Sequence, residues 1–266
     1  MKISNFEATK IAFYRIKNHL KNSRIKSIFS IYKILLSHKF LVRYRFIGLS
    51  NKEIFNKIYN EKYWGASEVD EQPYFSGGGS HNPILVNTYV GAVARFLRSF
   101  DGNPSVVDLG CGDFNVGSRV RVFCDKYIAV DIVESLIEHN KNAFSSLNVD
   151  FRTLDMTDAL SIESLPKAQI VFIRQVFQHL SNDQIDSILR VCKSNFDYLV
   201  LTEELPNNEN FNANLDIPTG YSTRLTINSG VCLTKPPFKL QPLSEQIICS
   251  VPVESSLFTT TVFRLN

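Results

Sequence analysis

Val106-Val107-Asp108-Leu109-Gly110-Cys111-Gly112-Asp113 places an acid near the end of an apolar, β-branched run and two glycines in the turn that follows. Such a run reads as a buried strand, and glycines directly after it let the backbone pass close under a ligand. The dinucleotide fingerprint needs a third glycine at position 115, where Asn115 stands, so a nicotinamide or flavin enzyme is disfavoured. No Gly-Lys-Ser/Thr follows, which excludes a P-loop.

Outward from this motif, β-branched runs alternate with helical stretches, as βαβ units of a parallel sheet require. Strands are expected at Ser105–Leu109, Tyr127–Val130, Asp150–Leu154, Ile170–Ile173 and Tyr198–Thr202, with helices at Ser135–Phe144 and Asn182–Ser194 among those between them. Gln246–Val251 and Phe258–Leu265, separated by a short turn, read as a terminal antiparallel pair. The fold class is therefore α/β, a doubly wound Rossmann-like sheet. Asp131 closes the second strand, where such a sheet presents a carboxylate to the hydroxyls of a ribose. Asp155 closes the third, where an acid can accept from an adenine amino group and Met156 adds backbone and apolar contact. Three acids at three successive strand tips share the carboxyl edge of one sheet, the place where these folds bind ligands.

In these motifs, Val107 to Gly112, Ala129-Val130-Asp131 and Leu154-Asp155, the chain resembles the class I S-adenosylmethionine-dependent methyltransferases over about residues 104 to 266. The resemblance implies a seven-stranded sheet in the order 3-2-1-4-5-7-6 with strand 7 antiparallel. It also implies S-adenosylmethionine as cofactor and S-adenosylhomocysteine as product. Asp108, Gly110 and Gly112 would then line the methionine part, Asp131 and the adjacent Ile132 the ribose, and Asp155 with Met156 the adenine. Arg174 and Gln175, after strand four, would lie beside the sulfonium. More loosely, Ser76 to Ser80, Asp108 to Asn115 and His179-Leu180-Ser181 resemble a bacterial subset whose members often act on cell-surface saccharides.

If the acceptor is a hydroxyl, its proton must leave, and a base of near-neutral pKa assists. His179 is the first candidate, with fixing of the strand-to-helix loop as its alternative role. His81, just after the glycine loop, is the second, and Glu203 with Glu204 after strand five is the third. Tyr74, Ser80, Tyr221 and Arg224 are expected at the acceptor, an arginine there suiting a phosphate or acidic sugar. Ile217 to Gly220 and Pro236 to Phe238 mark the insertion between strands five and six in which this fold usually builds acceptor specificity. No His/Asp/Glu cluster has metal-ligand spacing, so no metal is called for.

Upstream of the motif the text divides into a basic amphipathic helical extension at 1–50, a helical lead-in with a glycine-rich cap loop at 51–104, and a methyltransferase core at 105–266. The first fifty residues hold eleven Lys/Arg against one acid, Glu7, for a charge of +10, while the rest of the chain carries −7. Such a stripe can dock on an anionic membrane surface, on a partner protein, or on the chain's own acidic core. In the lead-in, Lys52–Tyr63 reads as a helix with Ile54, Ile58 and Tyr59 facing the core, and it leads to Trp64, the only tryptophan. Ser76-Gly77-Gly78-Gly79-Ser80 reads as a ligand-approaching loop or a flexible connector, and Ile84–Phe100 as a helix. Five scattered cysteines with no CxxC pair argue against a disulfide framework or structural zinc. With no run long enough to span a membrane and no leader pattern, a cytoplasmic protein is expected, peripheral at the inner membrane face if the extension docks there.

The favoured function is methyl transfer to oxygen of a small molecule or saccharide in capsule or lipopolysaccharide biosynthesis. The alternatives are an RNA or protein methyltransferase, or a cofactor-binding partner subunit without catalysis. Against nucleic acid, the core is acidic, and Arg174-Gln175-Val176-Phe177 stands where base-methylating relatives carry Asn/Asp-Pro-Pro-Phe/Tyr. The residues leave the oligomeric state open.

Overall fold

In the computed structural model, residues 45–67, 72–208 and 210–266 are described. The chain divides between Ile47 and Gly48, and the fold is that of Gly48–Asn266. The basic extension expected at 1–50 lies, through residue 44, outside the described residues.

Seven strands form one sheet: β1 (Val106–Leu109), β2 (Tyr127–Asp131), β3 (Asp150–Thr153), β4 (Ile170–Arg174), β5 (Tyr198–Pro206), β6 (Ser244–Val253) and β7 (Ser256–Arg264). Their order is β3-β2-β1-β4-β5-β7-β6. The first five run parallel, and β7 is antiparallel to both β5 and β6. This is the expected topology, including the terminal hairpin. The helices are α1 (Asn51–Asn60), α2 (Gly78–His81), α3 (Pro83–Leu97), α4 (Gly117–Val120), α5 (Glu134–Ala143), α6 (Ala159–Glu163) and α7 (Asn182–Asn195).

Period-two alternation divides the central strands between two cores. Val107 and Leu109 of β1 join Val171, Ile173, Leu199 and Leu201, and Ile185, Ile188 and Cys192 of α7 cover them. Val106, Ile170, Phe172 and Val200 face the other way, under Val86, Tyr89, Val93 and Leu97 of α3 and Ile137 of α5. β1 is buried at all four positions because it is flanked by strands on both edges and helices on both faces. Pro252 lies in β6, an edge strand, where its missing N–H costs no ladder bond.

The starts of α1, α3 and α7 are sealed by side chains. Ser50 and Glu53 form a capping box on α1, and Ser181 and Gln184 form another on α7. Asn82 caps α3, with Pro83 at its first position. The serine of His179-Leu180-Ser181 thus has a local task, which is to start the helix that covers one core. Gly77 to Ser80 forms part of a short helical turn rather than a free connector. No helix among the described residues is long and apolar enough to cross a membrane.

Candidate active site

Parallel register brings the ends of five strands to one edge. Asp108 lies beside Ala129, Leu109 beside Val130, Asp131 beside Thr153 and Arg174 beside Thr202. Above that edge opens a cavity of about 290 Å³. Asp108 and Gly110 to Asp113 line it from β1, Asp131 and Ile132 from β2, and Leu154 to Thr157 from β3. Arg174 to Val176 follow from β4 and Glu204 from β5, with Gly77 to Ser80 contributing from the glycine-rich turn. Asp108, Gly110, Gly112, Asp131, Ile132, Asp155, Met156, Arg174 and Gln175 therefore meet in one place.

Gly110 and Gly112 have φ of +78° and +56°, a region that non-glycine residues rarely adopt. A Cβ on Gly110 would lie 2.6 Å from Val176 Cγ2, and one on Gly112 would lie 2.4 Å from Ser76 Oγ. The close approach that demands glycine is thus already made by the chain itself. Gly112 N donates to Asp131 Oδ2 and Val133 N to Asp131 Oδ1, each at 3.1 Å, which fixes this carboxylate against the β1 turn. Thr157 donates twice to Asp155 Oδ1, from its backbone at 2.9 Å and its hydroxyl at 2.7 Å. Tyr127 Oη donates to Asp108 at 2.8 Å. Burial pushes both Asp108 and Asp131 up to about 6, against the hydrogen bonds that pull them down.

The glycine-rich turn is clamped from below. Arg174 Nη2 donates to Gly79 O at 2.6 Å and Nη1 to Ser80 Oγ at 3.1 Å, and its guanidinium stacks 5.0 Å from the Tyr89 ring. Asp113 Oδ2 accepts from Ser76 N and bonds His81 Nε2, both at 2.7 Å. Asn115 Nδ2 reaches Ser80 O at 2.7 Å, so the residue that breaks the dinucleotide fingerprint ties down the loop.

His81, expected as a base, is outside the cavity lining; it stacks on Phe75 at 4.4 Å and holds Asp113. His179 does line the cavity, packed 5.0 Å from the Trp64 ring, and burial depresses it to about 4, so it is neutral at physiological pH. Glu203 is outside the lining: it is 2% exposed, and its Oε1 accepts from Phe177 N at 3.1 Å beneath the turn carrying His179. Burial drives it up to about 8, overriding the attraction of Arg224. The next residue, Glu204, lines the cavity; burial raises it, while the Ser256 hydroxyl that donates to its Oε1 pulls it down.

Among the acceptor residues, Ser80 and Tyr221 line the cavity, and Tyr74 instead packs on Tyr59 and His139. Arg224 departs most from expectation. It is 1% exposed, and its terminal nitrogens donate to Leu180 O and Leu215 O. A guanidinium spent in this way joins the insertion to the turn after β4 and is not free to meet a phosphate. Sequence reading missed Trp64, Tyr59 and Gln178 as lining residues. Tyr59 read as core by its spacing, yet its hydroxyl is 2.9 Å from Ser76 Oγ. Trp64 Nε1 donates to Tyr221 O at 3.2 Å, a pairing across 157 positions that no local pattern encodes.

Residues 106–195 match the family model described as a methyltransferase domain. Over this segment the chain is similar to that family. Its fold likeness extends to the N-terminal domain of EvdMO1 with SAH bound, at 13% identity and a TM-score of 0.53, covering 82% of this chain and 98% of that one. The same domain in the presence of SAH and D-fucose gives 12% and 0.52. TehB from Haemophilus influenzae is 14% identical with a TM-score of 0.46, covering 66% of this chain and 62% of that one, so the chain spans less than two thirds of TehB. At these identities the likeness is one of fold. No curated protein matches the chain. The matched segment contains β1 to β4 and α7, and so it spans every cofactor-site residue expected from sequence.

Proposed function

We propose that the chain is an S-adenosylmethionine-dependent methyltransferase acting at oxygen on a small molecule or saccharide, in the setting of surface-polysaccharide assembly. The observation that carries the cofactor reading is the convergence of Asp108, Asp131 and Asp155, from three successive strand ends, on one cavity beside glycines that admit no Cβ. The donor set fits the cofactor. Asp131 and Ile132 would take the ribose and Asp155 with Met156 the adenine, while Asp108 and the Gly110–Gly112 turn would take the methionine part, with Arg174 and Gln175 toward its sulfonium.

When bound, the cofactor supplies an electrophilic methyl group on a sulfonium. The protein's own work is then to align the acceptor behind that group, exclude water and receive a proton. Gly77 to Ser80, latched by Arg174 and Asn115, lines the cavity. Trp64, Tyr59 and Tyr221 supply apolar walls for the acceptor. Of the proposed bases, Glu204 suits proton acceptance best because it is the one carboxylate among them in the lining, and burial raises it. His179, depressed to about 4, serves as a neutral hydrogen-bonding wall.

The resemblance to surface-saccharide enzymes, together with the insertion over the cavity, supports the saccharide reading over an RNA or protein substrate. Calorimetric titration with S-adenosylmethionine and S-adenosylhomocysteine tests the base of the proposal, with micromolar binding of both expected. Absence of binding by the full chain would overturn it.

A further inference from the structure

The charge of the cavity lining constrains what can enter beside the cofactor. Among the described residues, Arg174 is the only lysine or arginine in the lining. Its terminal nitrogens already hold Gly79 O and Ser80 Oγ, and it faces the buried Asp108. Arg224, the cation expected for a phosphate or acidic sugar, is buried on two backbone carbonyls. His179 carries no charge at physiological pH, since burial opposes its protonation. Against these stand Asp108, Asp113, Asp131, Asp155 and Glu204, all in the wall. The insertion contributes Tyr221 and Thr223, which are uncharged. Lys235 of the same insertion sits 5.5 Å from the Phe211 ring, and neither it nor Lys239 belongs to the lining.

An anion brought into a partly buried cavity without a cation loses its hydration and meets like charge, so both terms oppose it. A sugar hydroxyl or amine loses less, because Glu204 and Gln178 offer hydrogen-bonding partners and the aromatic rings cover its apolar faces. We infer that this cavity selects acceptors that carry no phosphate or carboxylate into it, namely neutral or amine-bearing sugars or glycan ends, and rejects sugar phosphates and sugar nucleotides. The inference rests on the proposed methyltransferase reading and narrows its acceptor class.

Trp64 is the sole tryptophan of the chain and lines the cavity, so its emission reports on occupancy. The full chain is first saturated with S-adenosylhomocysteine, as verified by calorimetry; failure at that step counts against the cofactor reading alone. Inorganic pyrophosphate and glucose 1-phosphate are then titrated at constant ionic strength. No saturable change in Trp64 emission is expected at millimolar concentration, whereas Thr223→Lys, which adds a cation to the wall, should create a response to pyrophosphate. Saturable sub-millimolar binding of either anion by the unaltered chain would overturn the inference. Should Thr223→Lys fail to fold, the unaltered chain still decides. In parallel, methyl transfer to methyl glucoside and glucosamine is compared with transfer to glucose 1-phosphate and UDP-glucose. Faster transfer to either phosphate-bearing sugar than to its uncharged counterpart would also overturn the inference.

Discussion

Replacing Glu203 by Gln should remove a pH dependence of stability that the native chain carries. Glu203 is buried beneath the Phe177–His179 turn; its Oε1 is engaged by Phe177 N, and its Oε2 has no hydrogen-bond partner. Burial raises it from 4.5 to about 8, so across that interval the folded state holds a proton that the unfolded state has released. Stability contributed by this group is fully present below pH 4.5 and is lost as pH rises through 8. Asp108 and Asp131 are raised only to about 6, and His179 lies at about 4, which leaves pH 6.5 to 8 mainly to Glu203. At about 1.4 kcal/mol per pH unit, the native chain should lose roughly 2 kcal/mol over this window. Gln keeps the carbonyl that accepts from Phe177 N and cannot ionise, so its slope should be nearly flat. Urea unfolding of both proteins at several pH values between these limits measures the difference. Equal slopes for the two proteins would refute the argument that Glu203 folds protonated.

Asp131→Asn, which replaces one of two carboxylate oxygens by a donor, should weaken S-adenosylhomocysteine binding by about 1 kcal/mol or more, roughly fivefold, in calorimetry; unchanged affinity would remove Asp131 from the ribose site. Glu204→Gln should lower the rate of methyl transfer while leaving cofactor affinity intact, and His179→Gln should lower it less; the reverse order in steady-state rates would return the proton to His179. Gly112→Ala forces a side chain into a positive-φ position and against Ser76, so it should destabilise the fold by at least about 1 kcal/mol in thermal or urea unfolding. An unaltered midpoint would show that the loop yields freely.

The proposed cofactor edge was legible because its signal is local. A strand tip and the turn after it are contiguous in sequence, so the run ending at Asp108, the run ending at Asp131 and the acid at 155 each declare themselves within a few residues. Parallel pairing with right-handed crossovers then leaves one edge on which they can meet. The acceptor side was less legible. His81 and His179 look alike as titratable groups after a loop, yet one stacks on Phe75 outside the cavity and the other stands in its wall. Glu203 and Glu204 are neighbours, and the alternation of β5 decides that the second faces the cavity. Arg224 read as a cleft cation because sequence carries charge and not burial.

By itself the sequence determined the α/β class, the strand order implied by its family resemblance, the terminal antiparallel pair, and the positions where glycine and acid were required. These follow from hydrophobic period, turn chemistry and residue type, all of which act over short stretches. Only the tertiary structure decided that the glycine-rich turn is latched by Arg174, Asp113 and Asn115, that Arg224 is spent on the backbone, and that Trp64 pairs with Tyr221 in the wall of the cavity. Those outcomes depend on which distant groups share a desolvated space, where an unpaired charge is costly and each buried donor must find its acceptor.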